Sequence, residues 1–346
     1  MKKYACLLLN VLLLCGLMSG CHSSGGDASQ PTDGITTAPT QQASPVTRYL
    51  VSEICEYYSD GEQYGKKSYT YDEKGRMLSY LSESYLNGSD TFSYTYEYNS
   101  KGHLICETNT FWEGRRTVRE FEYTYNQDGR VASYRIVEKS YMPNETNPFA
   151  QNFVGEFFFT YDSMGRLTEY VSCVGSAKVE TKYSFVYDEQ GRLVEEKEHH
   201  ETYDNSFIVE YTDRGWLKSA HGGFVQIDYE YDADGNLIHE DHLLEYGLCY
   251  AYTDGVLSEI VYETQLNYGD TMERTYHLNP DGTIKEMVMD NGRRKTYQYT
   301  SVTIDVLEEP DIVQYWSLVN DKLTRADFVD NIVQYFLPSA DPFQIA

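Results

Sequence analysis

The chain has 346 residues, with 54 Asp and Glu against 28 Lys and Arg, a net charge of −26 and 34 tyrosines. That acidity argues against a nucleic-acid binder, whose phosphate contacts need Lys and Arg. It also argues against broad electrostatic adhesion to anionic lipid, and leaves solubility and attraction to cationic partners.

Met1–Gly20 reads as an export signal, with Lys2 and Lys3 at its positive end and most of its apolar core in Leu7–Leu14. The run is broken by Asn10 and is too short for a span of about 20 residues, so a plain transmembrane anchor fits it less well. Leu17-Met18-Ser19-Gly20-Cys21 resembles the bacterial lipobox, which makes Cys21 the expected lipid attachment. The resemblance implies a domain held outside the cytoplasm on the cell membrane or outer membrane. Residues 21–47 are then a flexible tether, because His22–Val46 is rich in Ser, Gly, Thr, Pro and Gln without apolar periodicity. Cys55, Cys106, Cys173 and Cys249 remain in the mature chain, widely spaced and with no CxxC, which speaks against zinc and leaves pairing open.

From residue 48 to 306 one pattern recurs. Tyr69–Tyr80 reads Tyr-Thr-Tyr-Asp-Glu-Lys-Gly-Arg-Met-Leu-Ser-Tyr, with close copies at 96–107, 123–134, 159–170, 185–196 and 229–240 and weaker ones around Gly215, Gly255 and Gly282. Alternating aromatic and Ser/Thr residues predict a strand with one buried face. Asp72-Glu73-Lys74-Gly75 predicts a turn, since Asp bonds the backbone ahead of it and Gly tolerates positive φ. Each unit is therefore a β-hairpin, and the whole an array of roughly twenty strands. A four-residue loop sets Tyr71 opposite Arg76 and Tyr69 opposite Leu78. Tyr69, Tyr71, Leu78 and Tyr80 then share the apolar face, with Thr70, Met77 and Ser79 on the other.

Tyr161-Asp162-Ser163-Met164-Gly165-Arg166-Leu167 and Tyr187-Asp188-Glu189-Gln190-Gly191-Arg192-Leu193 resemble the YD repeat, also called the RHS repeat. The resemblance implies an all-β fold, a long antiparallel meander twisted and spiralled or rolled into a shell-like sheet. In that family large shells enclose a C-terminal toxin. This chain is short and has no toxin-sized domain after the repeats, so that function is not carried over.

In such a meander, regular Asp/Asn-x-x-Gly turns occupy one rim and divergent connections the other. Binding functions favour divergent loops on a rigid scaffold. The longest of these is Val137–Phe153, and the expected ligand-binding residues are Tyr141 and Phe149 within it and Trp112 beside the Glu113-Gly114 turn. Arg115-Arg116 follows that turn, a rare basic pair in this chain. A glycan or a surface protein is the expected ligand class.

Asp232-Ala233-Asp234-Gly235-Asn236 looks like the start of a calcium loop, but the turn accounts for it. His199, His200, His239, Asp241 and His242 look like a metal cluster. On strands, though, residues one or three apart face opposite ways, so they read as solvent-facing. Glu195-Glu196-Lys197-Glu198 reads as a solvated strand surface. No catalytic set, metal site or cofactor motif is singled out. After residue 306 the turn grammar is lost. Segment 307–346 is expected to cap the array, with Phe328, Val329, Ile332, Val333 and Phe336 at helical spacing. A strand pair is the alternative there. These readings favour a membrane-anchored, non-catalytic binding or scaffold lipoprotein, with a shell or partner of an RHS-type assembly next and an envelope hydrolase last.

Overall fold

The structure is a computed structural model that describes residues 46–85, 90–111, 113–175, 179–222, 225–242, 246–265 and 271–304. The signal segment, Cys21, residues 21–45 of the tether, Trp112 and the expected cap at 307–346 lie outside the described residues.

Twenty strands follow one another. They are β1 (Val46–Tyr57), β2 (Gln63–Tyr71), β3 (Met77–Ser84), β4 (Asp90–Tyr98), β5 (Leu104–Thr110), β6 (Arg116–Tyr125), β7 (Val131–Tyr141), β8 (Ala150–Tyr161), β9 (Leu167–Val174) and β10 (Val179–Tyr187). They continue as β11 (Leu193–His200), β12 (Tyr203–Tyr211), β13 (Leu217–Gly222), β14 (Val225–Tyr231), β15 (Leu237–His242), β16 (Tyr246–Thr253), β17 (Val256–Gln265), β18 (Thr271–Leu278), β19 (Ile284–Met289) and β20 (Arg294–Ile304). Each pairs antiparallel with the next, and β20 returns to β1 along its whole length, from Val46 opposite Ile304 to Tyr57 opposite Arg294. The expected meander is thus rolled into a closed barrel, which leaves no free edge to recruit another strand.

The regular hairpin departs from the expected register. Gly75 N–H donates to Asp72 O at 3.0 Å, and Asp72 N–H to Arg76 O at 2.9 Å, so the loop proper is Glu73-Lys74-Gly75. Gly75 sits at φ 77° and absorbs the first extra residue. A second bulge follows at Leu78, between the pairs Tyr71–Met77 and Thr70–Ser79. The two slips cancel. Tyr69, Tyr71, Met77 and Tyr80 face inward, and Leu78 is left 39% exposed. Met77, not Arg76, therefore lies opposite Tyr71, and Tyr80, not Leu78, opposite Tyr69. In the fully matching repeats the corresponding Leu167 and Leu193 are buried. The β16–β17 connection differs again, with Thr253 opposite Val256 across a two-residue Asp254-Gly255 turn.

The seam copies the hairpin without its turn. Tyr299 pairs with Val51, Gln298 with Glu53, and Ser52 is the bulge between them. The barrel is a ring of such units, and the seam is the one whose two strands no turn joins.

Inside, one cluster of Tyr, Phe, Leu and Val packs from β4 to β14, and a second joins β1 to β16–β20. Tyr276, Ile284 and Met287 have no exposure at all. Outside, charges alternate on neighbouring strands. Lys139 Nζ donates to Glu120 at 2.6 Å, Arg135 lies near Glu122 and Glu156, and Lys182 pairs with Glu169. A barrel spanning lipid needs an outward apolar band. This one packs mostly aromatic and aliphatic side chains within, among buried Glu107, Glu196, Glu198, Arg274 and Lys295, and carries ion pairs such as Lys139–Glu120 on its outer face.

Candidate functional site

The two rims are built differently. On the regular rim, Asp162 Oδ1 accepts from the main-chain N–H of Met164 and of Arg166, both at 2.9 Å, and Oδ2 accepts from Arg166 Nε at 2.7 Å. The Arg166 guanidinium then lies 4.6 Å over the ring of Tyr187 in the next hairpin. Tyr187 in turn donates its hydroxyl to Leu167 O at 2.7 Å. The same tie recurs from Tyr98 to Met77, Tyr161 to Val131, Tyr211 to Leu193, Tyr252 to Leu237 and Tyr299 to Ile284. Tyr71 makes it to Val51 on β1, the strand that borders the seam. The repeat therefore needs Tyr rather than Phe before its Asp. Burial, which alone would raise the Asp188 carboxyl, is outweighed by main-chain and side-chain hydrogen bonds from Arg192, so the group lies below its ordinary value. Asp232 is held by the same loop, accepting from Asp234 N–H, Asn236 N–H and Asn236 Nδ2. Its resemblance to a calcium loop is turn chemistry.

The other rim carries the divergent connections. The long insertion expected over Val137–Phe153 is shorter than that. Strands β7 and β8 pair out to Ser140 and Ala150, and Met142–Phe149 is the loop. The strands extend because Val137 and Phe153 still pair once a bulge at Val154 corrects the register. Tyr141 ends β7 on the outer face, with the Arg116 guanidinium 4.5 Å over its ring. Arg116 Nη2 donates to Glu145 O at 3.2 Å, and Pro143 Cβ would lie 3.5 Å from a Cβ placed on Gly114. The loop thus folds back onto the β5–β6 turn at Gly114 and Arg116. Phe149 is 60% exposed and donates its N–H to Ser140 O. Phe92 and Phe111 also stand exposed at this rim, on β4 and just after β5.

The charged strand β11 corrects another expectation. Glu195, Lys197 and His199 do face solvent, where His199 pairs with Asp204. Glu196 and Glu198 do not, at 1% and 3% exposure on the inner face. The cause is the bulge at Val194, which gives Leu193, Glu196 and Glu198 a common side. Glu198 Oε1 accepts from the hydroxyls of Tyr183 and Tyr203, each at 3.2 Å. Burial, and then the neighbouring Glu198, push the Glu196 carboxyl well above its ordinary value, which favours its protonated form. His242 likewise points inward rather than to solvent, buried against Tyr246 and bonded to Glu240, whose Oε2 accepts from Tyr250 at 3.1 Å. His239 points the other way. Among the described residues no three His, Cys, Asp or Glu are placed to hold one metal ion.

No protein-family model matches the chain. No curated protein matches it either. Among solved structures it is similar to a crystal structure of TcdB2-TccC3-TEV, at 14% identity and a TM-score of 0.27, over 70% of this chain and 16% of that one. It is similar to TcdB2-TccC3-Cdc42 at 13% identity and a TM-score of 0.27, with the same coverage. A porin-like protein from Bacteroides uniformis ATCC 8492 is similar at 12% identity and a TM-score of 0.32, over 72% of this chain and 96% of that one. The chain therefore spans 16% of the length of the first two.

Proposed function

We propose that the protein is a lipid-anchored binding or scaffold protein of the cell envelope, attached through Cys21 and built from YD-type hairpins. The observation that carries this reading is the division of labour between the rims. One is a self-tied ring of Asp, Arg and Tyr that fixes the scaffold. The other presents loops of unlike sequence with exposed Phe92, Phe111, Met142 and Phe149. Rigid support under variable, aromatic loops is the arrangement of a binding surface. Both strand ends at the seam, Val46 and Ile304, lie on the regular rim, since β1 runs from Val46 to the divergent Tyr58–Glu62 turn. A tether entering at Val46 directs the divergent rim away from the membrane.

Two experiments test this. Cys21→Ala should release the protein from membranes and change its processing. Unchanged membrane retention and mobility would sink the anchor. Replacing Trp112, Tyr141 and Phe149 together by Ala should leave the barrel folded and abolish binding to envelope polysaccharide or to the native cell surface. Intact binding would move the ligand site elsewhere.

A further inference from the structure

Strand β11 sends a column of side chains up the inside of the barrel, with Glu196 deepest, Glu198 above it and His200 at the divergent rim. Glu196 lies between its cross-strand partners Phe185 and Phe207, and neither of its carboxyl oxygens meets a hydrogen-bond partner. Buried acceptors without donors are unfavourable and rare in native proteins. Among the described residues, the charged group acting on Glu196 is another acid, Glu198. The column reaches the surface at its rim end. Tyr203, the first residue of β12, is 40% exposed, stacks on His200 at 5.0 Å and reaches Glu198 with its hydroxyl. Glu196 is one inward position deeper, roughly 7 Å further along the strand.

We propose that Glu196 and Glu198 form a binding site for a primary ammonium group, the end of a small linear amine or of a lysine-like side chain, entering past Tyr203. This rests on the reading of the barrel as a binding protein and names the chemistry of one ligand. An ammonium supplies three donors. Two go to the oxygens of Glu196 and the third to the Glu198 oxygen that the tyrosines leave. Its methylene stem lies along Tyr203, and Tyr183, Phe185 and Phe207 surround the charge with rings. Calcium takes six to eight oxygen ligands, and among the described residues no third acid joins these two carboxylates to approach that number. The net charge of −26 draws cations to the barrel.

The proton balance is explicit. Empty, Glu196 is biased toward its neutral acid form by burial and by Glu198. Binding converts Glu196–COOH and R–NH3+ into a carboxylate–ammonium pair, and one proton leaves to water. The titratable groups facing it are Glu198 on β11, Tyr183 on β10 and Tyr203 on β12, with His200 at the mouth. Affinity therefore rises with pH until the amine loses its own proton, near about 10.

The test is calorimetry of the full chain with n-butylammonium in two buffers of different ionisation enthalpy, beside n-butanol and calcium. The expected result is binding of the amine alone, with about one proton released per site. Glu196→Gln matches the neutral acid in shape, so it should fold. It should bind the amine about tenfold more weakly or worse, and release no proton. Glu198→Gln is the second variant, with melting curves recorded for both, and it too should bind about tenfold more weakly. Absence of amine binding, unchanged binding in both folded variants, or calcium binding in place of the amine would overturn the proposal. An envelope ligand lost in the Trp112, Tyr141 and Phe149 variant, with no amine binding, would leave the binding-protein reading standing and remove only this site.

Discussion

Tyr187 donates its hydroxyl to the main-chain carbonyl of Leu167 at 2.7 Å while the neighbouring Arg166 covers its ring. Leu167 precedes a bulge, where the ladder cannot serve every carbonyl. The tyrosine completes from the next hairpin what the bulge leaves open. Tyr187→Phe should therefore keep the fold and lose about 1–3 kcal/mol, the range for stranding a buried acceptor. Denaturant midpoints read that loss. Tyr49→Phe, at an exposed position away from these ties, is the control and should show none.

Glu196 gives a pH signature of its own. Its folded pKa lies above its unfolded one, because burial and Glu198 oppose its charge. The stability it contributes is complete below the unfolded value, near about 4.3, and is lost as pH rises toward the raised folded value. Glu196→Gln should remove that decline, so the variant gains on the wild type as pH increases without added amine. Parallel stability curves from pH 4 upward would contradict this.

Asp188 has the opposite sign. Main-chain and side-chain bonds from Arg192 hold its carboxyl low against burial. Its contribution is present above the ordinary Asp value of about 3.9 and is lost as pH falls through the lowered folded value. Asp188→Asn should lower stability slightly at neutral pH and flatten the acid limb of unfolding, read from melting between pH 2 and 7. The bond is part-buried and screened, so the effect is small for one unit and accumulates over the rim.

Gly165 and Gly129 separate two demands on the repeat glycine. Both have positive φ, 85° and 84°. An added Cβ at Gly129 meets nothing within 4 Å, but at Gly165 it would fall 1.7 Å from Arg130 Nη1. Gly129→Ala should cost about 1–2 kcal/mol in backbone strain. Gly165→Ala should cost more, because it also pushes Arg130 off Tyr161. In an Arg130→Ala background that excess should vanish, and a double-mutant cycle measures it.

The repeat, its hairpins and the alternation of rims were legible from residues such as Asp72, Gly75 and Tyr71. The register was not. Gly75 announces one bulge, but the second falls on Leu78, an apolar residue that looks like core. The same hidden step misplaced the acids of β11. Without a bulge at Val194, Leu193 shares its face with Glu195 and Lys197; with it, the partners are Glu196 and Glu198. Charge density alone then reads as solvent exposure. Of the rim candidates, Tyr141 meets the β5–β6 turn through Arg116, a contact across the full length of a hairpin that spacing does not reveal.

The seam between β20 and β1 repeats the geometry of every other unit, down to the bulge at Ser52 and the hydroxyl of Tyr71 on Val51. Gln298 and Glu53, bonded there at 3.2 Å, are 245 residues apart in the chain, yet they stand as residues of one hairpin do. Covalent order is therefore incidental to the ring. A circular permutant with a short turn joining Ile304 to Val46, and new termini opened at the Asn99–Gly102 turn, should close into the same barrel. Its slowest folding step, the single long-range closure, would simply move to the new gap.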